Sequence, residues 1–79
     1  MNQVTLYTQP DCPPCKIVKM FFNEYHISYQ EKDIKADSAA MKELTKKYGS
    51  YSTPTVIING ETIIGFEIEK MKRALSITD

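Results

Sequence analysis

The chain carries two cysteines, Cys12 and Cys15, inside the stretch TQPDCPPCK that runs from residue 8 to residue 16. Two prolines alone separate them. A pair this close can ligate a metal, staple a fold or exchange electrons. A structural zinc site needs four Cys or His ligands, and beyond the pair the sequence supplies one histidine, His26. His26 falls at the far end of the helix expected after the cysteines. About ten helical residues span about 15 Å, so it cannot join them and reads as a solvated helix-end residue. A metal shared between two chains is the metal option that remains. A bridge closing so short a loop removes little unfolded-chain entropy, which makes a structural staple a weak use of the pair.

Electron exchange fits the local detail. With Cys12 as N-cap and Pro13 as first helical residue, the Cys12 sulfur meets free backbone N–H groups and the positive end of the helix dipole. Such a site favours thiolate over thiol and lowers a cysteine pKa from about 8.5 into the range ~3.5–7.5. Cys12 is then the attacking sulfur. Cys15, one turn into the helix and shielded behind it, is the resolving one. Pro13 and Pro14 break no intrahelical bond there, because the first helical amides lack partners anyway. They do remove two donors that could have served the thiolate, leaving the amides of Cys15 and Lys16. The expected Cys12 pKa is therefore only moderately lowered. Lys16 can add positive potential, whereas Lys19 reads as an ordinary solvated charge.

The elements that must hold this pair can be read from periodicity. VTLYT (4–8) is β-branched and aromatic and stops at Gln9-Pro10, a short strand. In KIVKMFFNEY, Ile17, Phe21 and Tyr25 recur at helical spacing with Val18 and Phe22 beside them, giving a wide apolar helix face. ISYQEKDI (27–34) predicts a second strand. Asp37 or Ser38 caps a second helix, AAMKELTKKY, with Ala40, Met41, Leu44 and Tyr48 as its buried stripe and Gly49 as its left-handed stop. TVII (55–58) and TII (62–64) flank Asn59-Gly60, the pairing of residues that best signals a tight hairpin. Ile68, Met71 and Leu75, with Ala74 alongside, predict a third helix.

The order is β-α-β-α-β-β-α. Strands joined through a helix should run parallel and hairpin strands antiparallel, so a mixed four-stranded sheet flanked by helices is expected, an α/β fold. The cysteines then sit where the carboxyl end of a strand meets a helix N-terminus, a common place for chemistry in open α/β sheets. Pro54, in YSTPT (51–55), directly precedes a strand, where proline is tolerated at a strand start. From position alone it reads as a trans strand-initiating residue.

With 79 residues, 42% hydrophobic, the chain is expected to form one domain over residues 1–79. Ten basic and ten acidic side chains cancel, which leaves no electrostatic footprint for nucleic acid or an anionic membrane surface. No apolar run is long enough to span a bilayer, and MNQVTLY lacks the basic region and apolar block of a secretory signal. A cytoplasmic location is expected, where a permanent disulfide is the wrong default.

Taken together, YTQPDCPPC, then STP before a β-hairpin, then IGFEIEKMKRAL resemble the glutaredoxin-like proteins of the thioredoxin superfamily, most of all the NrdH-redoxin type. The resemblance covers nearly the whole chain and implies a thioredoxin-like fold and a dithiol–disulfide oxidoreductase that needs no cofactor. It implies a cis Thr53-Pro54 bond packed against the cysteine pair, with the Thr53 backbone pairing to an extended substrate segment. It also implies substrate contacts from Gly65 and Phe66 and a site lined by Thr8, Asp11, Pro13, Pro14, Lys16 and Tyr51. From position alone, a Phe before a helix such as Phe66 is more often a hydrophobic staple into the core than a docking residue, and Tyr51 reads equally well as a partner contact or a plain loop aromatic.

Glutathione-using glutaredoxins typically carry an aromatic in place of Pro14, and Gly-Gly followed by an acidic cap where this chain has Gly65-Phe66-Glu67. Gly65-Phe66 resembles the NrdH type instead, although Glu67-Ile68 replaces its usual Arg-Pro. The resemblance thus implies a monomer reduced by thioredoxin reductase that supplies ribonucleotide reductase or another disulfide-bearing protein. The alternatives are a glutathione-dependent glutaredoxin and, in another class, a non-catalytic binding module or an iron–sulfur carrier bridging two subunits.

Overall fold

In the computed structural model, which describes residues 2–77, the chain begins with β1 (Val4–Thr8) and passes through the cysteine loop into α1 (Pro13–Glu24). β2 (Gln30–Asp33) returns to the sheet, and α2 (Ser38–Lys42) runs on without a break into a π-helical turn at Glu43–Lys47. β3 (Thr55–Ile58) and β4 (Glu61–Ile64) form the hairpin, and α3 (Ile68–Ala74) follows. The sheet order is β2-β1-β3-β4, with β1 parallel to β2 and antiparallel to β3, and β3 antiparallel to β4. This is the mixed α/β sheet that the element order predicts.

The sheet is covered on both faces. Val4, Leu6, Val56 and Ile58 point to one side and pack against Val18 and Phe22 of α1 and Met71 of α3. Tyr7 and Ile57 point to the other and meet Ala40 and Leu44. Burial on two faces explains the unbroken apolar run of β3, where an exposed face would have produced alternation. Asn59 and Gly60 both take positive φ (50° and 88°), as a two-residue turn between twisted strands requires.

Three sequence expectations shift. The strand expected over 27–34 spans only Gln30–Asp33. The Ile27 amide still closes α1 by donating to the Phe22 carbonyl at 2.8 Å, and His26 has left-handed φ, so the chain is leaving the helix where alternation suggested a strand. Ile17 is half exposed because the buried face of α1 runs through Cys15, Val18, Phe21 and Phe22, one step around the helix. Met41 is likewise exposed, while Ala40 of α2 and Leu44 of the π-helical turn after it hold the seam. Asp37 supplies the cap, its carboxylate accepting from the amides of Ala39 and Ala40.

The π-helical turn was not foreseen. Within it, Glu43 reaches the sheet: its carboxylate accepts from the buried Tyr7 hydroxyl and from Lys32 Nζ at 2.8 Å. The Tyr48 ring sits 6.0 Å from Tyr7. Burial, then the Glu43 hydrogen bond and charge, push the Tyr7 hydroxyl far above the usual tyrosine pKa. Lys32, then Tyr7, hold the Glu43 carboxyl below its usual range. Among the described residues, no helix is long and apolar enough to cross a membrane.

Candidate functional site

β1 ends at Thr8, and Asp11 turns the chain with φ 58°, a left-handed geometry that aspartate tolerates better than most side chains. Cys12 then adopts extended backbone angles as the N-cap of α1, with Pro13 and Pro14 as the first two helical residues. The Cys12 Sγ accepts from the Cys15 amide at 3.3 Å, and the Cys12 carbonyl accepts from the amides of Cys15 and Lys16. The sulfur therefore faces the open start of a twelve-residue helix, as the spacing of the prolines implied.

The two cysteines are joined as a disulfide, with their Cα atoms 5.3 Å apart. Cys12 is 8% exposed and Cys15 2%. Of the two sulfur-bearing residues, Cys12 is the more open to an incoming molecule. A nucleophile at Cys12 with a resolving group behind it is chemically available in this arrangement.

A second element closes over the pair. The Thr53-Pro54 bond is cis, whereas position alone suggested trans. Thr53 Oγ1 lies 3.5 Å from Cys12 Sγ, and Pro54 is fully buried. The loop leading there is tied down by hydroxyls: Ser50 and Thr55 oxygens are 2.8 Å apart, and Thr55 Oγ1 donates to the Ser52 carbonyl at 2.8 Å. On the far side the Gly65 amide donates to the Pro54 carbonyl at 2.8 Å, bringing the end of β4 to the same corner. Gly65 has φ 86°, a conformation side chains resist. Phe66, next in sequence, is 50% exposed, so it is not a staple buried in the core. Tyr51 projects into solvent at 84% exposure.

On the other flank of the sulfur pair lies a cavity of about 200 Å³. Thr8, Asp11, Lys16 and both cysteines line it, joined by Gln9, Pro10, Lys19, Glu31 and Asp33. Lys19 is no free solvated charge, as its sequence position had suggested. Its Nζ pairs with Glu31 at 2.7 Å, and the Thr8 hydroxyl donates to the same Glu31 oxygen at 2.9 Å. The Lys19 hydrogen bond first, and the Thr8 hydroxyl after it, hold the Glu31 carboxyl below its usual range despite partial burial.

Thus Thr8, Asp11, Lys16 and the cysteines line one cavity, while Thr53 meets Cys12 through its hydroxyl and Gly65 is tied to Pro54 through its amide. Gln9, Lys19 and Glu31 were missed as parts of the site. Their partners lie one element or more away, and no spacing rule couples a glutamine to a threonine 44 positions later.

Comparison with known proteins gives a consistent result. The glutaredoxin family model matches residues 4–63. Glutaredoxin 3 of Escherichia coli K12 is 31% identical over 65 residues, covering 82% of this chain and 78% of that protein. The crystal structure of the thioredoxin-like protein BC3987 superposes with a TM-score of 0.88 at 51% identity, covering 91% of this chain and 99% of that one. The structure of NrdH-redoxin from Escherichia coli superposes with a TM-score of 0.81 at 22% identity, covering 90% and 92%. At that identity the last likeness is one of fold.

Proposed function

The chain belongs to the glutaredoxin family of thiol–disulfide oxidoreductases, and from that membership we propose that it reduces protein disulfides through Cys12 and Cys15 as one thioredoxin-like domain. The observation that carries the proposal is the setting of Cys12, the more exposed cysteine of the pair, at the start of α1 with the Cys15 amide aimed at its sulfur.

In the first step the Cys12 thiolate attacks one sulfur of a target disulfide. A Cys12–target disulfide forms, the target's S–S bond breaks, and its other sulfur leaves as a thiolate that takes up a proton. Cys15 then loses its proton and attacks Cys12 Sγ. The Cys12–Cys15 bond forms as the target's remaining sulfur departs. Two electrons have passed to the target, and a dithiol donor must return two to the chain. Exchange of this kind is governed by the thiolate fraction of the attacking sulfur and by access to it.

Thr53 and Pro54, with Gly65 and Phe66, form the surface proposed to hold an extended target segment beside Cys12. Asp11 and Pro13 set the sulfur at the helix start. Exposed Phe66 and Tyr51 suit a small, transient redox interface. The donor we propose is thioredoxin reductase, because Pro14 stands where glutathione users carry an aromatic and Gly65-Phe66 where they carry Gly-Gly. The proposed target class is ribonucleotide reductase or another disulfide-bearing protein, and the proposed setting is the cytoplasm.

A coupled assay tests the donor. NADPH oxidation with a protein disulfide as acceptor should proceed with thioredoxin reductase and fail with glutathione plus glutathione reductase. Turnover with glutathione alone would reverse the assignment.

A further inference from the structure

Thr53 reaches the sulfur pair with its side chain. Its Oγ1 lies 3.5 Å from Cys12 Sγ, and Gln9 Nε2 lies 2.9 Å from the same Oγ1. A threonine hydroxyl has one proton and two lone pairs, and an amide nitrogen only donates. Gln9 therefore occupies a lone pair of Oγ1 and leaves the single proton to the sulfur. We infer that Gln9 is a positioning residue that commits the Thr53 hydroxyl to donate to the Cys12 thiolate, replacing one of the amide donors that Pro13 and Pro14 remove.

The consequence depends on redox state. In the disulfide the hydroxyl meets a neutral sulfur, and the bond is weak. Once the pair is reduced, the same hydroxyl donates to an anion, and a charge-assisted bond is roughly twice as strong as a neutral one. The relay thus favours the thiolate over the thiol. It complements the Cys15 amide, which approaches the sulfur from the helix side at 3.3 Å. Other charges face the pair across the adjoining cavity: Asp11, Lys16 and Lys19 from the loop and α1, and Glu31 and Asp33 from β2. None of them is altered in the variants below, so their field is common to every comparison.

The inference rests on Cys12 being the attacking sulfur, and the test separates the two ideas. Reduced protein is alkylated with iodoacetamide across a pH series, and peptide mapping assigns the label. Thr53→Val should raise the midpoint for Cys12 by about one pH unit, a roughly tenfold loss of thiolate below both midpoints. Thr53→Ser, which keeps the hydroxyl, should restore it. Gln9→Ala leaves the backbone of the site untouched and should raise the midpoint by about half as much. It should add nothing in the Thr53→Val background, because a residue acting through Thr53 has no route once the hydroxyl is gone.

An unmoved midpoint in Thr53→Val, or a Gln9→Ala shift of equal size in both backgrounds, overturns the relay and leaves Cys12 as nucleophile. A downward shift in Gln9→Ala also overturns it, since the amide oxygen would then have been drawing the proton away from sulfur. Label that maps to Cys15 and not to Cys12 ends both the relay and the proposed function.

Discussion

Replacing Tyr7 with phenylalanine isolates the polar link between β1 and the π-helical turn. The Tyr7 side chain is buried, and its hydroxyl donates to Glu43 Oε1, which also accepts from Lys32 Nζ at 2.8 Å. Tyr7→Phe keeps the ring, its packing and its 6.0 Å contact with Tyr48. Glu43 keeps Lys32, so no acceptor is orphaned. The loss is one hydrogen bond to a charged group, at the lower end of its range, about 1.5 kcal/mol at pH 7. For a chain of this size that lowers Tm by about 6–12 °C.

The pH dependence follows from the raised Tyr7 pKa. In the unfolded chain Tyr7 ionises near pH ~10, whereas in the fold it stays protonated. The native state then binds more protons than the unfolded state, so stability falls as pH rises, by about 1.4 kcal/mol for each pH unit above ~10. Tyr7→Phe lacks this loss. Denaturant melts of the oxidised proteins should show wild type ahead at pH 7 and the two curves meeting near pH ~11. A stability gap that stays constant through alkaline pH, or no gap at neutrality, would refute the assignment of a buried hydroxyl bonded to Glu43.

Two further outcomes are expected. Phe22 is fully buried, with its ring 5.6 Å from Phe21 and 5.0 Å from Tyr29. Phe22→Ala should cost about 3–5 kcal/mol in urea melts, enough to leave a chain of this size partly unfolded. Glu31→Gln should cost less than about 1 kcal/mol at pH 7, because the Lys19–Glu31 pair is open to solvent screening. The folded-state pKa of Glu31 is lowered, so its contribution is present above the ordinary carboxylate range and is lost as pH falls through the folded value. Acid melts should therefore show a shallower decline for the variant than for wild type.

Local signals made much of this fold legible. The bounds of β1 and β3 follow from β-branched runs cut off by Gln9-Pro10 and Asn59-Gly60. The start of α1 follows from Cys12 and two prolines, and the end of the helical segment that begins at Ser38 follows from a glycine at Gly49, where the backbone turns left-handed. What could not be read depends on tertiary partners. Ile17 has the spacing of a core residue, yet the sheet lies one step around the helix and leaves it exposed. The wide turn at Glu43–Lys47 carries no composition signal, because Glu43 meets Tyr7 and Lys32 only after the sheet has formed. At the site, the cysteines announce themselves by spacing. The hydroxyl and amide at their side, Thr53 and Gln9, come together only through the fold.

Trapping is the most direct measurement of which sulfur attacks and which resolves. Cys15→Ser and Cys12→Ser proteins are each mixed with a disulfide-bearing protein, and the products are resolved by mass without reductant. Cys15→Ser should accumulate a one-to-one mixed disulfide through Cys12 and turn over no further, while Cys12→Ser should capture nothing. Capture through Cys15, or sustained protein-disulfide reduction by Cys12→Ser, would contradict the assignment of roles.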